Sequence, residues 1–526
     1  MVRLTLLAFV AVSFAACDDS LTIEHAEATR PNAVAQARPD AADTVGPGPD
    51  SVGDATLAGD TSSADVPDAL DTSDTPDAPD TRDTADGADS SVAADTIGED
   101  TSVPDVDTTR DVGPTPELGP VQYPGDRVHS PIPAVLAQHL REIAAIDQAL
   151  ADDVFMKVGA SSFAQNSFLK CFAGNFDLAG LSHLEPARAF FEAGQAADTN
   201  PFSRVSLAAK SGVNAGWAIA GDPGPMESEY LAVSPRFAFV MYGANDMGRA
   251  GSYEASLWLF GETMWTLVDE LLSWGVTPIL MTIGRRLDSA AADRWVQTYN
   301  SLIRGLAQGR GLPLVDLYQA YLPLPNFGVS SDGLHASSYS SGACVLTSEG
   351  LRFGHNMRNR HLLEALSRVE AVVVDHMPAI AQDDQDARYL VGDGSPEIPF
   401  EVGQLPFTDL RSSLDSPHTN LDRYSGCGSN TNEGGPEYLY RIEVATRVRV
   451  RATVHDLGDT DIDLHLLDDT ATEAGCLQRN HRIINVTLDP GVYHFALDTF
   501  IGAAGPKGGE YIFTVIDCDA GPPGCQ

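Results

Sequence analysis

No phenylalanine, tyrosine or tryptophan stands between Phe14 and Tyr123. The same stretch is acidic: residues 18–120 hold 25 Asp/Glu against four arginines, a net of −21 out of −41 for all 526 residues. A segment this charged and this poor in aromatics cannot bury enough apolar surface to offset its chain entropy. Packed structure therefore begins near Tyr123. From Asp65 to Asp89 an aspartate falls at every third position, with Thr, Ala, Pro and Ser between. In polyproline II, at three residues per turn, these carboxylates line one face, and like charges with interspersed prolines keep the tether extended. Cation binding or glycosylation is one reading of the run; a solvated spacer is the plainer one. Residues 17–122 are read as a disordered acidic linker, and the charge excludes an electrostatically driven nucleic-acid binder.

Residues 1–16 have the layout of an export signal. Arg3 is followed by the apolar run Leu4 to Val12, too short to span a bilayer stably, and by Ala15-Ala16 before Cys17. A cysteine directly after such a run resembles the bacterial lipobox, although Phe14 stands where an aliphatic residue is usual. That resemblance implies lipidation of Cys17, and so a chain exported from a bacterial cell and held on a membrane facing periplasm or cell surface. An ordinary signal peptide with a chance cysteine is the alternative.

From 123 to 375 short apolar runs alternate with longer helical patterns. Val154–Val158, Arg236–Tyr242, Thr277–Ile283 and Leu312–Leu317 read as strands; Phe163–Lys170, Tyr253–Trp274, Ala290–Gln308 and Ser348–Val369 read as helices. The alternation predicts an α/β fold of three layers, a parallel sheet with helices on both faces. In such sheets chemistry collects beyond the C-terminal strand ends. Those ends read Gly159-Ala160-Ser161-Ser162, Gly243-Ala244-Asn245-Asp246 and, farther on, Asp332-Gly333-Leu334-His335. A serine at a strand-to-helix turn has its hydroxyl lifted from the sheet. An Asn amide is a neutral donor suited to an oxyanion, and an Asp three residues before a His can hold the imidazole tautomer.

Taken in order, Ser161, a middle glycine, Asn245 and Asp332–His335 resemble the four blocks of the SGNH/GDSL hydrolases, over roughly residues 150–370. The resemblance implies Ser161 as nucleophile, His335 as general base and Asp332 as its orienting partner. It implies an oxyanion site of the Ser161 N–H, the Asn245 amide and a glycine, with Gly216 preferred and Gly212 the runner-up. The implied activity is serine carboxylic-ester hydrolysis through an acyl-serine, without cofactor, on an ester such as an acylated glycan or lipid. Ala160 stands where Gly-Asp-Ser has aspartate, which leaves a binding or adhesion protein on the same fold as the alternative. Ser162 falls one residue late for the nucleophile. His355 and His361, on the last helix, are expected at solvent or cap contacts.

Residues 376–398 read as a linker, 399–518 as a β-sandwich and 519–526 as a tail. Period-two runs at Tyr438–Val444, Arg447–Thr453, Asp461–Leu467, His481–Leu488, Val492–Leu497 and Tyr511–Ile516 carry the sandwich reading. Asp459–Leu464 and Leu488–Tyr493 resemble the bacterial pre-peptidase C-terminal domain, an accessory sandwich. Asp461 and Asp463 are then candidate calcium ligands; otherwise they are the polar face of a half-buried strand. With Cys17 assigned to lipid, only Cys171 and Cys344 fall in the hydrolase region, and domains that fold as units pair them. The pairing of Cys427, Cys476, Cys518 and Cys525 stays open.

Overall fold

The computed structural model describes residues 119–521 and 523–525. The expected export signal, Cys17 and nearly all of the acidic stretch read as a linker lie outside the described residues. Strands β1 (Ala151–Gly159), β2 (Pro235–Met241), β3 (Thr277–Met281) and β4 (Leu314–Val315) form a parallel sheet in that order. Its central members are continuous apolar runs, as a sheet covered on both faces requires.

Helices α1 (Ala134–Ile146), α2 (Ser161–Ala164), α3 (Glu185–Ala193), α4 (Ala215–Ala218) and α5 (Pro225–Val233) precede β2. Then come α6 (Tyr253–Ser273), α7 (Ala290–Gly309), α8 (Leu317–Tyr321), α9 (Gly354–Val369) and α10 (Ala381–Asp386). Helices α6 and α7 make the crossovers from β2 to β3 and from β3 to β4 and pack on each other. Ser252 and Ser289 cap them by accepting the N–H groups of Ala255 and Ala292.

Three local expectations are corrected. The helix expected over Phe163–Lys170 stops at Ala164. Leu169 takes a left-handed conformation (φ 58°), and α9 claims the backbone just before it: the Asn359 amide donates to the Ser167 carbonyl (2.8 Å). The strand expected over Leu312–Leu317 is two residues long, because Asp316 turns to cap α8 and its carboxylate accepts from Thr282 and Arg304. The stretch 376–398 is no free linker: α10 lies in it, Asp383 binds Arg368 and the Ile132 N–H, and Tyr389 bridges to Val121.

The C-terminal region is a β-sandwich. One sheet has the order β10-β9-β12-β7-β5 and the other β11-β8-β15-β6. The strands are β5 (Phe400–Glu401), β6 (Phe407–Ser412), β7 (Glu437–Val444), β8 (Val448–Asp456), β9 (Ile462–Leu467), β10 (Cys476–Asn480), β11 (Ile483–Leu488) and β12 (Gly491–Thr499). A small hairpin, β13 (Ile501–Gly502) with β14 (Gly505–Pro506), leads to β15 (Glu510–Asp517). Tyr440, Phe495 and Phe513 anchor its core. The tail is tied in by a Cys518–Cys525 disulfide and an Asp519–Arg449 pair.

The sandwich packs directly on α7. A Cβ at Gly305 would lie 2.5 Å from Ile512 Cγ2, and one at Gly309 2.3 Å from Leu410 Cβ, so the helix approaches the sheet where it has no side chains. Polar contacts surround this seam: Gln308 donates to the Thr408 carbonyl (2.5 Å), Arg451 to Thr298 Oγ1 (2.9 Å), and Arg310 forks onto Glu510. Gly309→Ala is expected to lose about 1–3 kcal/mol by overpacking against a Cβ that cannot rotate away, read as a lower denaturant midpoint.

Candidate active site

Each site residue sits where a strand of the parallel sheet ends or where a loop folds over that end. After Gly159 the chain turns into α2, whose first residue is Ser161. Gly159 is required there, since a Cβ would lie 2.7 Å from the Phe163 ring. Ala160 occupies the N-cap without a side-chain cap bond. An aspartate at that position has the acceptor an N-cap uses, so the nucleophile turn is held by backbone and packing alone.

The loop carrying His335 comes over this turn. Ser161 Oγ lies 2.9 Å from His335 Nε2, and His335 Nδ1 lies 2.7 Å from Asp332 Oδ2. The other carboxylate oxygen, Oδ1, accepts from Ser330 Oγ (2.7 Å), the Leu334 N–H (2.9 Å) and the His335 N–H (3.0 Å). Partial desolvation pushes the Asp332 carboxyl up, but these donors outweigh it and hold the group well below the usual carboxylate range. Gly333 (φ 76°) makes the turn possible, because a Cβ there would press on the Asp288 backbone at 2.5 Å.

Behind β2 the turn Gly243-Ala244-Asn245-Asp246 begins at a left-handed glycine (φ 125°). The Asn245 amide donates to the Val213 carbonyl (2.9 Å). Asp246 escaped the sequence reading, yet it organises this corner: its two oxygens accept the Gly243 N–H and the Ala215 N–H, both at 2.9 Å. Burial pushes its carboxyl up against the pull of those donors. Its only sequence signal was its place directly after Asn245.

Ser161, Asn245 and His335 line one cavity of about 730 Å3, its open mouth included. Ser162 also lines it; neither Gly216 nor Gly212 does. Gly216 lies in α4, one residue past the Ala215 N–H that Asp246 holds, and Gly212 takes a left-handed turn (φ 77°) before it. The same wall carries Arg285, Arg286 and Arg358, none of which sequence reasoning singled out.

Cys171 and Cys344 form a disulfide. It joins the short helix Lys170–Ala173, a little after the serine turn, to the loop that follows His335. Asn359 Nδ2 reaches the Ser167 and Ala343 carbonyls (2.8 and 3.0 Å), so α9 clasps both sides of the link. Cys427–Cys476 and Cys518–Cys525 are also paired, and three disulfides in one chain belong to an oxidising compartment, periplasmic or extracellular. No helix among the described residues is long and apolar enough to cross a membrane.

His355 and His361 are buried rather than solvent-facing, because α9 packs inside the fold. His361 Nδ1, His129 Nε2 and Glu364 Oε2 meet at 2.8–3.2 Å, with Arg360 on the other Glu364 oxygen. In the sandwich, Asp461 faces Lys507 (3.2 Å) and Asp463 faces Arg479 (2.8 Å), so side-chain cations stand beside the two candidate calcium ligands.

Residues 178–339 match the model of the GDSL-like Lipase/Acylhydrolase family. Asn245, Asp332 and His335 fall inside the match, and Ser161 precedes it. No curated protein sequence matches the chain. Among solved structures, an acetylxylan esterase from Geobacillus stearothermophilus is similar at 18% identity, over 40% of this chain and 93% of that one, with a TM-score of 0.27. A GDSL-like lipase from Bacteroides thetaiotaomicron is similar at 13% identity, over 44% and 98%, with a TM-score of 0.25. The pre-peptidase C-terminal domain of a Bacillus anthracis collagenase is similar at 17% identity, over 22% and 91%, with a TM-score of 0.15. The matched segment holds β2, β3 and β4 with three of the strand-end residues, so the GDSL-like lipase/acylhydrolase likeness covers residues 178–339 and the parallel sheet they build.

Proposed function

We propose that the protein is an exported serine esterase that cleaves a carboxylic ester through an acyl-serine, held on a membrane by a lipid at Cys17. The observation that carries the catalytic reading is the continuous relay from Ser161 Oγ through the His335 ring to the Asp332 carboxylate, at 2.9 and 2.7 Å. In the first step His335 Nε2 takes the serine proton as Oγ attacks the ester carbonyl. Asp332 holds the Nδ1–H tautomer and stabilises the imidazolium. The protonated ring then returns its proton to the leaving alcohol, and water repeats the sequence to free the acid. The Asn245 amide, which gives one N–H to Val213 and belongs to a residue lining the cavity, is the side-chain donor for the oxyanion, beside the Ser161 N–H. The lipid anchor rests on the arrangement of residues 1–17.

A fluorophosphonate probe tests the reading: it is expected to label the purified protein stoichiometrically at Ser161 on peptide mapping. Absence of label, or label at Ser162, sinks the assignment. The pH profile adds a second arm. Because Asp332 stays ionised far into acid, the acid limb of kcat/KM belongs to the imidazole alone. Protonated imidazole cannot accept the serine proton, so the rate is expected to fall toward acid with the slope of a single proton. A profile flat from pH 5 to 9 with chemistry rate-limiting contradicts a histidine base.

A further inference from the structure

The cavity that holds Ser161 and His335 is rich in hydrogen-bond donors and short of acceptors. Of its three arginines, Arg285 is locked onto Asp293 at 2.5–3.0 Å and Arg286 onto Asp288 at 2.8 Å. Arg358, from α9, is different. It is 1% exposed, and among the described residues no carboxylate lies within ion-pair distance of it. Its Nη2 donates to the Ser167 carbonyl (2.9 Å), its Nε to Asn359 Oδ1 (3.3 Å), and its plane lies over the Phe168 ring at 4.8 Å. All of these partners are neutral. Burial lowers its hold on the proton, and the Tyr321 phenol acts in the opposite direction.

On two residues that also line the cavity, Arg285 Nη1 and the Tyr242 hydroxyl are buried with no acceptor. Asp246, the carboxylate on this wall, already accepts two backbone N–H groups. A buried cation without a counter-charge is strongly disfavoured, and unpaired donors add to that cost. A ligand that supplies one negative charge relieves the first. We infer that the esterase acts on esters whose acid or alcohol part bears a carboxylate, with Arg358 as its counter-charge. This deepens the esterase reading and rests on it. A carboxylate suits the site better than a phosphomonoester: the one uncompensated charge matches a monoanion, whereas a phosphate brings nearly two. The chain's net charge of −41 works against anions in general, so a preference for an acidic ester has to come from the cavity itself.

The test compares esters that differ only in the charge. On the acyl side, 4-nitrophenyl hemiglutarate is paired with its methyl ester; on the alcohol side, O-acetylated galacturonic acid with its methyl ester. At least one acid is expected to exceed its neutral partner tenfold or more in kcat/KM, and ratios near one in both pairs overturn the proposal. Arg358→Met is expected to bring the ratio to about one, and an unchanged ratio removes Arg358 from the role. If the methionine variant does not fold, Arg358→Lys serves: it keeps the charge but loses the planar fork, so the ratio is expected to fall several-fold, and an unchanged ratio again counts against Arg358. Calorimetric binding of both pairs to Ser161→Ala separates this proposal from the esterase reading, because it needs no turnover. The acid that wins is expected to bind at least tenfold tighter than its methyl ester, and equal affinities overturn the inference even if hydrolysis is found.

Discussion

Replacing Ser161 by alanine is expected to lower kcat/KM on 4-nitrophenyl acetate by at least about a thousandfold. The hydroxyl is the atom that bonds to the acyl carbon, and its neighbour on the far side is His335 Nε2 at 2.9 Å. Without it, a water activated by His335 has neither the position nor the covalent intermediate, and what remains is binding and whatever stabilisation the Asn245 amide gives. Folding is not expected to suffer, since Ser161 makes no other side-chain hydrogen bond among the described residues. Unchanged thermal stability with lost turnover is therefore the expected pair of results. Equal rates in the two proteins would move the nucleophile elsewhere, with Ser162 first in line because it shares the cavity wall.

Asp332→Asn is the second large effect, expected at roughly 10²–10⁴-fold in kcat/KM. An asparagine keeps the shape of the loop, because its Oδ1 still accepts from Ser330, Leu334 and His335 as the carboxylate oxygen does. Its amide replaces Oδ2, however, and presents a donor to His335 Nδ1. The ring then carries its proton on Nε2, facing Ser161, and has no lone pair with which to take the serine proton. Because Asp332 is half-exposed, water competes for Nδ1 and softens the loss toward the lower end of that range. Fluorophosphonate labelling at fixed time is expected to slow in parallel, and a variant with wild-type labelling rate would show that Asp332 does not set the tautomer.

The strand-end residues were legible because their chemistry depends on short, local spacing. Gly159 before Ser161, Gly243 before Asn245 and Gly333 between Asp332 and His335 each mark a turn that only glycine or near-zero side-chain bulk allows, and each left its letter in the sequence. The parallel sheet and the main period-two strands followed from hydrophobic pattern in the same way. What stayed hidden was set by tertiary contact. Phe163–Lys170 has a helical pattern, but Asn359, nearly two hundred residues away in the chain, claims the Ser167 carbonyl and Leu169 turns left-handed. Arg358 sits in the run Arg358-Asn359-Arg360, which reads as a solvated helix face; its full burial comes from packing α9 against the serine loop. The short edge strands β5 and β10 offered too few residues for a period to show.

Helix α7 has the most unusual setting in the fold. Its residues from Thr298 to Gln308 are buried all round, including Asn300, Arg304 and Gln308, because the parallel sheet lies against one side and the sandwich against the other. An accessory domain hung on a linker can be shuffled, duplicated or lost without touching its neighbour. Here such a loss would strip one whole side of a helix that helps hold the catalytic sheet, leaving Gly305 and Gly309 as a bare groove and Arg451's partner Thr298 without its cation. The heritable unit, and the smallest piece an engineer can transplant, is thus the pair together: the boundary visible in the secondary-structure classes is not a place where the molecule comes apart.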